Sequence, residues 1–154
     1  MASVHLTRVG HFAATEAWDF HQSTADFRAV AAQVAPAPKL LYLVFNHDGT
    51  ARHNTPFIHL PAWIQAEKGG ALSFQFVGWN FYPIRYRNDP LNVPPPVPDR
   101  WEWTPGRYRH ETNGAWFNEF LIRSHRDPAY LFARDPSVVP VAQTGTWWLY
   151  RRKR

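Results

Sequence analysis

Apolar residues recur at clear helical spacing in one stretch of the chain: Phe27, Val30, Ala31 and Val34 fall at i, i+3, i+4 and i+7 with polar residues between them. Ser23 and Asp26 precede that stripe in the manner of a capping box, and Pro36 and Pro38 close it. The pattern predicts one larger helix that packs from one side. Upstream, residues 3–12 carry enough valine, leucine and alternation to read as a first strand. Leu40 to Phe45 is apolar without alternation and too short for a helix of its own, which predicts a central strand covered on both faces. Asp48-Gly49 reads as a type I′ turn that returns His53 opposite Val44 and Thr55 opposite Tyr42. Pro61, then Trp63 and Ile64, then Gly69-Gly70 mark a short helix, and Leu72, Phe74 and Phe76 alternate as a half-buried strand that runs toward Tyr82.

Beyond Pro83, the prolines at 90, 94, 95, 96 and 98 hold a long extended loop. Asn113-Gly114 signals a second hairpin, 107–123, although Trp116, Phe117, Phe120 and Leu121 also fit helical spacing. Asp127-Pro128 and Asp135-Pro136 bracket a short helix, and Thr144–Arg152 reads as a last strand. This order implies an α+β fold: a mainly antiparallel, curved sheet of about six or seven strands with two hairpins, packed by one larger helix and short helices.

Composition narrows the function classes. With 154 residues, 45% hydrophobic and 19% charged, the chain fits one globular domain over 1–150 followed by a basic tail, 151–154. The net charge is +5, but the last four residues supply four of those charges and leave 1–150 at +1. A nearly neutral body makes single-stranded nucleic-acid binding through Arg and Trp an alternative that is not favoured. The expected terminus is frayed and solvated. The absence of cysteine removes disulfides, thiolate zinc sites and a cysteine nucleophile. No apolar run approaches membrane length and no secretory signal opens the chain, so the expectation is a cytoplasmic protein without membrane contact.

Candidate chemistry concentrates in 79–126, which holds Trp79, Trp101, Trp103, Trp116 and seven of the fourteen arginines. A hairpin turn at 113–114 would set Tyr108 opposite Glu119 and His110 opposite Phe117, placing phenol, imidazole and carboxylate on one face. Tyr108, His110 and Glu119 are therefore the candidate acid–base residues. His53 and Tyr42 from the first hairpin, with Trp101, Trp103, Arg109 and Trp116, are candidate ligand contacts. The three histidines at 47, 53 and 59 lack a neighbouring acid at ligand spacing, so no metal is expected, and no cofactor motif is present. The favoured function is small-molecule binding in an aromatic-lined pocket, with cyclase- or isomerase-type acid–base chemistry on an apolar or aromatic substrate left open. The main alternative is a non-enzymatic subunit that meets a protein partner or a second copy of itself.

Overall fold

The computed structural model of the chain describes residues 2–47, 55–74, 93–98 and 101–153. Helix α1 (Ala2–Ala32) is followed by strand β1 (Lys39–Val44), helix α2 (Ala62–Lys68), strand β2 (Ala71–Leu72), the one-turn helix α3 (His110–Asn113), and strands β3 (Glu119–Arg123), β4 (Val138–Thr144) and β5 (Trp147–Arg152). Short 3₁₀ turns occupy Pro105–Arg107 and Pro128–Phe132. The five strands form one sheet in the order β2-β1-β3-β5-β4. The fold is α+β.

Among the described residues the sheet is mixed, which corrects the mainly antiparallel expectation, and it has five strands instead of the expected six or seven. β1 runs parallel to β2 on one side and to β3 on the other, while β5 is antiparallel to both β3 and β4. A strand without hydrophobic alternation is what a position between parallel neighbours produces, because both faces are buried. The expected turn at 48–49, the return strand through His53 and the continuation past Phe74 lie outside the described residues. Residues 3–12 belong to α1 rather than to a strand.

Strand parity divides the core into two layers. Leu40, Tyr42, Val44, Leu121, Trp147 and Leu149 face α1, where Phe27, Val30, Ala31 and Val34 bury the predicted stripe. Phe27 meets Trp147 edge-on with ring centroids 5.1 Å apart. Burying side chains of this size contributes roughly 1.5–3 kcal/mol each, which fixes the register of the sheet against the helix. Leu41, Leu43, Phe120, Ile122 and Tyr150 face the other way, beneath Trp101, Tyr108, Phe117 and Phe132 from the connecting segments. We call these the helix side and the loop side.

β4 and β5 form the hairpin that the sequence pattern passed over. Residues 145–146 connect them, Gly145 takes a positive φ of 54°, and the register shifts between Pro140 and Ala142. A proline inside a run argues against a central strand, yet β4 is the sheet edge, where a bulge accommodates it. Arg151 and Arg152 of the basic end belong to β5, and both form ion pairs.

Candidate functional site

On the loop side, a chain of hydrogen bonds joins three segments. After the 3₁₀ turn at 105–107, Arg109 is extended and α3 begins at His110. Asn113-Gly114 ends that helical turn instead of reversing a hairpin, because Gly114 has φ −83° and ψ −21°, whereas a type I′ turn needs positive φ at both central residues. The Gly114 N–H donates to the His110 carbonyl at 2.8 Å, and the His110 ring lies against the Gly114 α-carbon, where no side chain would fit. The Tyr108 hydroxyl is 2.6 Å from His110 Nδ1, and His110 Nε2 is 2.7 Å from Asp135 Oδ2.

Asp135 also accepts from Arg152 Nη1 at 2.7 Å and from the Ser137 backbone N–H at 3.1 Å. The His110 and Ser137 hydrogen bonds, followed by the smaller charge effect of Arg152, hold its carboxyl well below the usual carboxylate range. Because Asp135 is ionised, Nε2 carries the proton that it donates, and in the neutral imidazole Nδ1 accepts from Tyr108. Burial pushes the Tyr108 phenol up, with Arg152 opposing. The phenol therefore keeps its proton through the neutral range. Rings enclose the imidazole: Phe120 lies 5.5 Å and Phe132 5.1 Å from it by centroids, and Trp101 stacks on Tyr108 at 5.4 Å.

Glu119 does not join this chain. It is on the helix side of β3, where its Oε1 accepts from Arg151 Nε at 2.6 Å while Arg151 Nη2 donates to the Gln33 carbonyl at 2.7 Å. The expected neighbours separate because residues 107–114 do not pair with β3. The carboxylate that meets His110 comes from Asp135, which the sequence pattern had marked only as helix punctuation.

The helix side carries a second buried charge of another kind. Arg123, the last residue of β3, is 6% exposed, and its guanidinium carbon stands 3.7 Å from the Phe57 ring centroid and 5.9 Å from that of Trp147. Its Nε and Nη1 are buried without a hydrogen-bond acceptor among the described residues. Burial alone lowers its pKa, to about 10. Arg123 pairs in register with Val44, so β1 and β3 end together. Beyond those ends Asn46 Oδ1 accepts from the His125 backbone N–H at 3.0 Å, and His47 meets Trp103 edge-on at 5.6 Å.

The other anticipated contacts scatter. Tyr42 is buried on the helix side, its phenol pushed up by burial and then by the charge of Glu102. Trp101 is buried on the loop side, its Nε1 without a partner among the described residues, and Trp103 is 44% exposed. Trp116, half-buried, has the Lys39 ammonium 4.6 Å from its ring, and Arg109 is exposed, its Nη1 donating to the carbonyls of Gly106 and Tyr108 at 2.8 Å each. His53 lies outside the described residues. Among the described residues no group of three or more His, Asp or Glu is arranged to hold a metal ion, and no helix is long and apolar enough to cross a membrane.

Arg123 was overlooked in the sequence, although a signal was there: it closes the run Glu119-Phe120-Leu121-Ile122-Arg123 with its side chain on the same face as Leu121. A charge at an inward strand position must find a partner or a use. Comparison with protein-family models, with curated proteins and with solved structures returns no match to this chain.

Proposed function

We propose that the chain binds a small molecule where β1 and β3 end. The observation that carries this reading is the joint finish of two adjacent parallel strands at Val44 and Arg123, with a buried guanidinium, Asn46, His47 and His125 following from them. Ligand crevices in sheets with parallel strands lie beyond the carboxyl ends, where backbone groups leave the ladder and side chains converge. Phe57, Trp147 and Trp103 supply the aromatic lining, and Tyr42 precedes Val44 on the same face.

The test is amide chemical-shift mapping of the full chain against a panel of small aromatic and aliphatic compounds. Perturbations are expected at 44–47, 57 and 123–125. Perturbations confined to 138–144, or none, reject the reading. A second reading, acid–base chemistry at His110, is favoured by the unbroken phenol–imidazole–carboxylate chain, with Asp135 in the role expected of Glu119. It requires the perturbed amides to cluster at 101–114 instead.

A further inference from the structure

We infer that the molecule bound beyond β1 and β3 is an organic monocarboxylate with a flat apolar body, its carboxylate held by Arg123. This identification rests on the binding site proposed above and adds the ligand's chemical class.

A buried guanidinium is costly unless its charge and its N–H groups are answered. Arg123 is 6% exposed, forms no ion pair among the described residues, and leaves Nε and Nη1 buried without acceptors. The guanidinium carbon stands 3.7 Å over the Phe57 ring centroid. An aromatic ring beneath the guanidinium compensates part of its charge but gives its N–H groups no oxygen acceptor. What is missing is an in-plane oxygen acceptor with negative charge. Carboxylate meets that need, because its planar pair of oxygens matches the planar donor fork.

Charge balance limits the ligand further. Arg151 is answered by Glu119 and Arg152 by Asp135, so among the described residues of this part of the sheet Arg123 is the buried positive charge that remains. One negative charge neutralises it, whereas a phosphate dianion would bury an excess charge of its own. The body of the ligand follows from the walls. Phe57 stacks on Phe20 at 5.9 Å, and Trp147 flanks the guanidinium at 5.9 Å. A flat apolar group attached to the carboxylate would lie among these aromatic walls.

The experiment uses the full chain with benzoate, its neutral isostere benzamide and inorganic phosphate, read by thermal melting and tryptophan fluorescence, with binding located by amide shifts. Benzoate should raise the melting temperature with concentration and bind roughly tenfold or more tighter than benzamide, the loss expected when a charge-assisted hydrogen bond is removed. Arg123→Met should melt above the wild-type chain without ligand, because an unanswered buried charge is gone, and should bind benzoate no better than benzamide. Equal binding of the two by the wild type, at 44–47 and 123–125, overturns the carboxylate and leaves the site. No binding of either rejects both readings. Phosphate binding tighter than benzoate overturns the monoanion. If Arg123→Met lowers the melting temperature, the guanidinium is structural and the inference fails; should that variant not fold, Arg123→Lys decides, because a retained charge must preserve some preference for benzoate.

Discussion

Arg152 and Arg123 stand on opposite sides of the same sheet, each with its guanidinium over a phenylalanine ring, yet their surroundings differ completely. Arg152 donates to Asp135, to the Ser137 hydroxyl and to the carbonyls of Phe117 and Gly114, and it lies 5.8 Å from Phe120. Arg123 has Phe57 and no acceptor for two of its nitrogens. Fully connected polar networks hold a core in one arrangement, while an unanswered buried charge lowers stability and is retained for another reason. The loop side therefore reads as a clamp that ties β5, the segment before β4 and the approach to β3 together. The helix side reads as a place prepared for something else.

The largest expected effect is on the clamp. Asp135→Ala leaves His110 and Arg152 without their shared acceptor and should cost about 3 kcal/mol, measured by urea unfolding. A loss under about 1 kcal/mol would remove the distinction between the two sides, since it would put the Asp135 bonds in the range of ordinary exposed pairs. The pH dependence sharpens the same point. Asp135 has a folded-state pKa below its unfolded value, so its contribution is fully present above about pH 4, the unfolded carboxylate value, and is lost as pH falls toward the folded one. Asp135→Asn should flatten that acid limb. An unchanged acid limb in the variant would mean that another carboxylate governs it.

Next in size is Gly114→Ala. The backbone there is right-handed helical, so alanine meets no conformational penalty, and the helix propensity difference alone would favour it. The added methyl group would instead meet the His110 ring and lie 2.7 Å from the His110 carbonyl oxygen. Displacing the imidazole from Asp135 should cost roughly 2 kcal/mol in the same unfolding assay. A neutral or stabilising result would show that the ring moves freely, and that the clamp is looser than its distances imply.

What could be read from the sequence divides along the same line. The stripe of Phe27, Val30 and Ala31 on α1 with Val34 just past its end, the doubly covered strand at 40–44 and the short helix after Pro61 were legible, because each is set by local periodicity and punctuation. Pairing was not. Asn113-Gly114 has the composition of a tight hairpin turn, but Tyr108 and His110 gain more from the loop-side core and from Asp135 than residues 107–112 would gain from a ladder with β3. Tertiary burial overrode turn chemistry. The candidate site was half legible for that reason: Tyr108 and His110 are two residues apart and stay together, whereas Asp135 lies 25 residues from His110 in the chain and only the fold joins them. Arg123 and Phe57 are farther apart still, and no spacing rule connects them.

The smallest effect concerns the outer end of the clamp. Tyr108→Phe keeps the ring that stacks on Trp101 and removes only the hydroxyl, leaving His110 Nδ1 buried without a donor. The expected loss is about 1 kcal/mol, less than for Asp135 because the group removed is an uncharged phenol and the Asp135–Arg152 pair stays in place. Since burial holds the phenol protonated, the loss should be the same from neutral to mildly alkaline pH. The two substitutions share one imidazole, so a double-mutant cycle of Tyr108→Phe with Asp135→Asn should give a coupling energy clearly different from zero. Strict additivity would mean that the phenol and the carboxylate act separately on the ring. Loss of ligand binding in Tyr108→Phe at unchanged stability would go further, because it would place the working site on the loop side and leave Arg123 a buried charge with no use.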